Sequence, residues 1–252
     1  MIAVIGGTGL DKLPGVQVNR RHNITSKYGP ASDSVLEVEV EDKSFFFLPR
    51  HAENHHLAPH LINYRANIWA LKKLGVQQIL AVNAVGGIHA DFSAGDLVVP
   101  NQIIDYTYGR ETTFFDGVAE PLRHFDFSEP FSSDLRAALL AAAGAGDRSI
   151  HDFGVYACTQ GPRLETAAEI QKFKRDGCDL VGMTAMPEAI LARELEIDYA
   201  SICMVVNSAA GLGDQPISEQ EVIRESVKMA SDVSEILVSV ILSGEEGLER
   251  EP

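Results

Sequence analysis

The chain is predicted to fold as a single α/β domain, a central mixed β-sheet flanked by helices, and three observations carry that expectation. Short apolar runs bounded by glycine alternate with amphipathic stretches of helical period along the whole length. The 252 residues are 45% hydrophobic and 23% charged, a globular balance with length enough for one large core. No linker-like composition shift, internal repeat or low-complexity segment breaks the pattern. One domain over 1–243 follows, with Gly244 to Pro252 read as a polar tail that frays.

Taken in order, Ile2 to Ile5 reads as a buried strand, since it is short, apolar and stopped by glycine. Val35 to Val40 alternates apolar and acidic residues, and Ser44 to Leu48 is its partner across a Glu41-Asp42 turn, which makes a hairpin. Pro59 opens an amphipathic helix through Ile62, Ala66, Trp69 and Leu74, and Gly75 stops it. Gln78 to Val82 is the next buried strand, followed by a loop at Asn83 to Gly87, and two strand-like stretches lie between Asp96 and Tyr106. In the second half, Leu135 to Ala143 and Thr166 to Arg175 read as helices, with His151 to Thr159 a strand between them. Leu180 to Gly182 is a short strand, and Pro187 to Leu195 a helix with proline at its first turn. Tyr199 to Val206 is a continuous apolar strand, and Ser218 to Leu242 a long final helix. Ligands of such sheets sit at the carboxyl ends of strands. The informative loops are therefore Gly6 to Leu10, Pro49 to His60, Asn83 to Gly87, Gln160 to Glu165, Met183 to Pro187 and Asn207 to Gly211.

A net charge of −15 repels nucleic acid and anionic membrane surfaces, so an anionic substrate needs a local basic pocket. Cys158, Cys178 and Cys203 lie far apart without CxxC spacing and read as reduced thiols, which argues against disulfide and metal roles. No targeting segment is visible, and no apolar run approaches the ~20 residues that span a bilayer. A cytoplasmic protein is expected.

Gly6-Gly7-Thr8-Gly9 follows the first strand, where glycines let backbone N–H groups approach an anion and Thr8 adds a hydroxyl. A dinucleotide fingerprint is the rival, but it needs a third spaced glycine running into a helix, whereas Lys12 and Pro14 follow. Arg50 ends a strand as a fork of donors suited to phosphate, and His51 beside it is positioned to donate to the same oxyanion. A plain surface ion pair is the blander reading of Arg50. His51, His55, His56 and His60 invite a metal hypothesis, yet Pro59 breaks one helical pair and no acidic partner has metalloprotease spacing, so no metal is expected. Gln160 to Glu165 and Asn207 to Gly211 are by pattern only turns after apolar strands.

Taken together these loops resemble the trimeric purine nucleoside phosphorylase and methylthioadenosine phosphorylase family, from Ile2 to about Leu242. The resemblance is carried by Ile5-Gly-Gly-Thr-Gly-Leu10, Arg50-His51, Asn63-Tyr-Arg-Ala-Asn-Ile-Trp-Ala-Leu71, Asn83-Ala-Val-Gly-Gly87, Gly95-Asp-Leu-Val98, Phe115-Asp-Gly117, Gly161-Pro-Arg163, Gly182-Met-Thr-Ala-Met-Pro-Glu188 and Tyr199-Ala-Ser201. It implies that Thr8, Arg50, His51, the Ala84 backbone and Thr184 hold phosphate, that Met183 lies against the sugar, and that Leu164, Glu165 and Asn207 face the purine. Asn207 and His51 are the implied catalytic pair. His124 is the implied visitor to a neighbouring subunit's site, so a homotrimer is expected, with inorganic phosphate as co-substrate and no cofactor.

The resembled methylthioadenosine enzymes carry Ser where Glu165 stands and Asp where Asn207 stands, so this chain is similar to the 6-oxopurine enzymes at both. The chemistry agrees. A 6-oxopurine offers N1–H to the Glu165 carboxylate and O6 to the Asn207 amide, while adenine mismatches both. One mismatched buried polar group costs ~1–3 kcal/mol, and two give a preference on the order of 10² to 10⁴. The implied 5′ pocket uses Val222 and Ile223 with the neighbour's His124, although Val222 and Ile223 also read as ordinary core stripe. Glu219 matches neither usual residue at the 5′-determining position. The expectation is phosphorolysis of a 6-oxopurine 5′-methylthionucleoside. The alternatives are inosine or guanosine phosphorolysis, methylthioadenosine phosphorolysis, and a non-catalytic nucleotide-binding module.

Overall fold

The structure is a computed structural model that describes residues 1–8, 10, 16–145 and 150–244. Gly9, Lys12 and Pro14, on which part of the glycine-loop reading rests, lie outside the described residues, as does the expected tail beyond Gly244.

The expected α/β domain is present. Eleven strands among the described residues form one mixed sheet with helices on both faces. The first half supplies β1 (Ile2–Gly6), β2 (Gln17–His22), β3 (Val35–Val40), β4 (Lys43–Pro49), α1 (Tyr64–Lys73), β5 (Gln78–Gly87), β6 (Leu97–Val98) and β7 (Gln102–Asp105). The second supplies α2 (Ser133–Ala145), β8 (Ile150–His151), β9 (Val155–Cys158), α3 (Ala167–Arg175), β10 (Leu180–Gly182), α4 (Ala185–Glu194), β11 (Asp198–Ser208) and α5 (Glu219–Ser243). Side chains of α1 and α4, such as Ile68, Leu71, Ala189 and Leu191, pack on one face of the sheet. On the other face α2 and α5 bury Leu139, Val233, Ile236 and Leu237, all fully inaccessible. Among the described residues no helix is long and apolar enough to cross a membrane.

The β3–β4 hairpin closes through Glu41 and Asp42, both at positive φ (47° and 66°), the turn whose twist matches that of paired strands. Three expectations need correction, and one strand was unforeseen. The helix does not begin at Pro59, which opens only a single 3-10 turn. Asn63 is the better cap, because its Oδ1 accepts from Ala66 N–H (3.0 Å) while its Nδ2 donates to the Tyr28 carbonyl (2.7 Å). Asn83 to Gly87 is strand rather than loop, since β11 pairs in parallel with β5 along its whole length. His151 to Thr159 is two strands, for the chain changes partners from β6 to β10 and β7 at a jog held by the Asn101 side chain, which accepts from Gly154 N–H at 2.9 Å. Strand β2 carries no apolar alternation and was not expected, and it forms because backbone pairing with β3 suffices for an exposed edge.

One feature of the sheet positions everything that follows. Strand β5 gives one edge wholly to β11, and its other edge first to β1, up to Ala81, and then to β10, from Gly86. Between those two partners the edge is open. This fork is a switch point of the kind where α/β sheets hold ligands.

Candidate active site

All six segments singled out from the sequence meet at the fork and line one cavity of about 410 Å³. Its lining includes Thr8, Arg50, His51, Ala84, Leu164, Glu165, Met183, Thr184, Asn207 and Val222. Two expected site residues are not brought in. Ile223 is 46% exposed and does not line the cavity, because on α5 it is Glu219 and Val222, three positions apart on one face, that reach it. His124 is exposed and absent from the lining of its own chain's cavity.

At the end of β1 the loop must be glycine. A Cβ on Gly7 would stand 2.5 Å from the Val82 carbonyl oxygen and 3.0 Å from the Arg50 guanidinium. Arg50 is fully buried just past the end of β4, and the surface ion-pair reading is corrected. Its Nε and one terminal nitrogen grip the two oxygens of Glu188, each at 2.7 Å, and the other terminal nitrogen donates to the Val82 carbonyl at 2.7 Å. Arginine has five N–H donors, so one hydrogen remains on each terminal nitrogen. Burial opposes the charge on Arg50, but the Glu188 carboxylate outweighs it and holds the guanidinium ionised. Tyr199 adds a hydroxyl bond to Glu188 at 2.9 Å. The strand alternation that turns Val82 toward the fork also turns the backbone of Ala84 there, where neither β1 nor β10 pairs with it.

His51 departs from expectation. Its Nδ1 lies 2.8 Å from the Leu57 carbonyl, which has no hydrogen to give, so Nδ1 carries the proton. Burial, joined by repulsion from Arg50 and His55, outweighs that bond and pushes the ring down to about 4. The neutral ring therefore presents an acceptor lone pair at Nε2, not the donor that the sequence suggested. Thr8 Oγ1 stands 3.4 Å from His55 Nε2.

Thr184 stands at the start of α4 without a side-chain capping bond, and its hydroxyl accepts a bond from the core instead. Ser201 donates to Asn83 Oδ1 (2.6 Å), whose amide nitrogen donates to Thr184 Oγ1 (2.7 Å). With that lone pair occupied, the Thr184 hydroxyl hydrogen is left to point elsewhere. All three residues are buried.

Toward the other end, Glu165 stands just before α3, whose capping box fixes the local backbone. Thr166 Oγ1 accepts from Glu169 N–H (3.1 Å), and Glu169 accepts in return from Thr166 N–H (2.8 Å). Thr159 donates to Glu165 Oε1 at 2.6 Å. The Asn207 amide nitrogen donates to the Ser208 carbonyl at 2.6 Å, leaving its oxygen and a second N–H uncommitted by that bond. Met183 packs over Gly161, where φ is +60° and a Cβ would stand 2.6 Å from the sulfur. Glu219 shares the lining with Val222.

Sequence reasoning missed Glu188, Asn83, Thr159 and Arg110. Arg110 gathers the walls of the cavity, donating to the carbonyls of Met183 (2.8 Å), Met186, Thr159 (3.2 Å) and Gln160 (2.8 Å). Glu188 and Asn83 stood inside motifs already singled out, so those segments were the available signal. No pattern marked Thr159 or Arg110. Among the described residues no group of three or more His, Cys, Asp or Glu is clustered to hold a metal ion.

Comparison with known proteins agrees with this geometry. The model of the Phosphorylase superfamily matches residues 2–242. A probable S-methyl-5′-thioinosine phosphorylase of Pseudomonas syringae pv. tomato is 51% identical over 220 residues, 87% of this chain and 89% of that one. A 6-oxopurine nucleoside phosphorylase of Pyrococcus furiosus is 42% identical over 245 residues, 95% of this chain and 91% of that one. Among solved structures, the methylthioadenosine phosphorylase of Schistosoma mansoni in complex with adenine superposes with a TM-score of 0.92 at 33% identity, covering 96% of this chain and 90% of that one. A fork lined by the motif loops, a family model spanning nearly the whole chain and relatives of matching length lead to one assignment: this chain belongs to the phosphorylase superfamily.

Proposed function

We propose that the chain cleaves the N-glycosidic bond of a 6-oxopurine 5′-methylthionucleoside with inorganic phosphate, releasing hypoxanthine and 5-methylthioribose 1-phosphate, a step of purine salvage. The observation that carries this is a base-reading carboxylate and amide, Glu165 and Asn207, in the same cavity as an anion-binding set. Thr8, the remaining Arg50 hydrogens, the Ala84 backbone and the Thr184 hydroxyl hold phosphate. His51 Nε2 accepts the hydrogen of a protonated phosphate oxygen. As the glycosidic bond stretches, the sugar carbon becomes cationic above the held phosphate, and the departing purine gains negative charge. Asn207 steadies that charge by accepting from N7–H with its amide oxygen while its nitrogen donates to O6. Glu165 accepts from N1–H. Met183, Leu164 and Val222 supply the apolar wall. Neither metal nor organic cofactor enters the reaction, and three buried free cysteines fit a reducing cytoplasm.

A second reading has its own observation. Glu219 places a carboxylate beside Val222 in the lining, which suits a 5′-hydroxyl donor better than a methylthio group and favours inosine or guanosine. The test is phosphate-dependent release of free purine from methylthioinosine, inosine, methylthioadenosine and adenosine. The expected order puts methylthioinosine first, with a margin over methylthioadenosine on the order of 10² or more in kcat/KM. Faster turnover of either adenine nucleoside would refute the base assignment, and inosine ahead of methylthioinosine would favour the second reading. Purine release that needs no phosphate would refute phosphorolysis itself.

The active assembly is proposed to be a homotrimer in which His124 completes the neighbouring site.

A further inference from the structure

Thr159 is held in place from three directions. Its N–H donates to the Gly182 carbonyl at 2.8 Å, which ties the end of β9 to β10. Its own carbonyl accepts from Arg110 at 3.2 Å. The residue is 8% exposed, so water does not compete freely for its hydroxyl. That hydroxyl has a single hydrogen and two acceptors in reach, Glu165 Oε1 at 2.6 Å and the Gly182 carbonyl at 3.4 Å. The nearer acceptor is a carboxylate, and bonds to ionised groups are the shorter and stronger ones, so the hydrogen goes to Glu165.

We propose that Thr159 is a positioning residue that sets the choice of purine, by fixing the Glu165 carboxylate with one oxygen bound and the other turned to the base. The inference rests on the reading of Glu165 as the group facing N1. An anchored carboxylate that already accepts a hydrogen bond keeps its rotamer. It then accepts from the N1–H of a 6-oxopurine, and it repels the N1 lone pair of adenine. Adenine is accommodated only if the carboxyl group swings aside, and the Thr159 hydroxyl opposes that. Discrimination here comes from what the site refuses as well as from what it binds. Arg110 contributes from behind, because the carbonyl it holds on Thr159 belongs to the same strand end that aims the hydroxyl.

The test compares the wild type with Thr159→Val and Thr159→Ser, measuring kcat/KM for methylthioinosine and methylthioadenosine together with KM for phosphate. Valine keeps the shape and removes the hydroxyl, whereas serine keeps the hydroxyl. Losing a bond to a charged group corresponds to about tenfold or more. The expected result is a fall of about that size in the oxo-to-amino preference of Thr159→Val, preference largely kept in Thr159→Ser, and phosphate KM unmoved in both. An unchanged preference in Thr159→Val, or an equal loss in Thr159→Ser, overturns the inference while leaving the substrate reading intact. A wild type that prefers methylthioadenosine overturns the substrate reading, and this inference with it.

Discussion

His51 shows how far one residue's surroundings can reverse what its type suggests. A histidine next to an arginine looks like a second donor for an anion, but the Leu57 carbonyl consumes its only hydrogen and burial keeps the ring neutral. The shift has a consequence for stability. The folded-state value of about 4 lies below the ordinary 6.5, so the unfolded chain binds a proton first as pH falls. Stability from this group is complete above the ordinary value and declines as pH drops from 6.5 toward 4. By pH 5.5 the contribution lost is about 1.4 kcal/mol. Urea unfolding of the wild type and His51→Gln at pH 7.5 and 5.5 checks this, and the wild type is expected to lose more than the variant by about that amount. Parallel losses would show that the ring is not held neutral. The pairing of Arg50 with Glu188 was equally invisible beforehand. The partners stand 138 positions apart, and no local pattern encodes a contact at that range. What the sequence did display was each residue's place at a strand end or helix start.

At the scale of elements, legibility followed local chemistry. The β3–β4 hairpin, α3 and α5 were readable because alternation, Thr166 and Ser218 are signals contained within a few residues. Strand β2 and the outer half of β5 were not, because their extended form depends on neighbours far along the chain, β3 for one and β11 for the other. Helix α3 deserves the next measurement, since its cap adjoins Glu165. Arg163 reinforces the box by gripping Glu169 with both terminal nitrogens (2.7 and 2.8 Å), and this bond, with the Thr166 N–H, pushes the Glu169 carboxyl down to about 2. Thr166→Ala is expected to cost about 1 kcal/mol in unfolding. It should also raise KM for the nucleoside while leaving KM for phosphate alone, because only the segment proposed to face the base loosens. A rise in both would mean that the cap supports the whole cavity.

For the whole molecule, the segment at 107–128 stands out. It leaves Tyr108, Val118 and Leu122 between 65% and 92% exposed, and Tyr108 N–H reaches Gln160 in the base-side loop. Exposed apolar side chains of this kind suit the subunit contact of the proposed trimer. Light scattering should return three times the 27.4 kDa chain mass. Subunits carrying Glu165→Ala and subunits carrying His124→Ala, each inactive alone, should recover part of their activity when assembled together. A fully active monomer would end the trimer proposal.

The matched pair of Arg50 and Glu188 bears on how turnover finishes. A cleft that captured phosphate with a naked cation would cling as hard to the sugar phosphate it makes, since both are doubly charged near neutral pH. Here the guanidinium arrives with its counterion in hand, and the imidazole beside it carries no charge. In the proposed phosphate site, grip would then come from oriented dipoles rather than from a bare charge, which would ease the departure of the product.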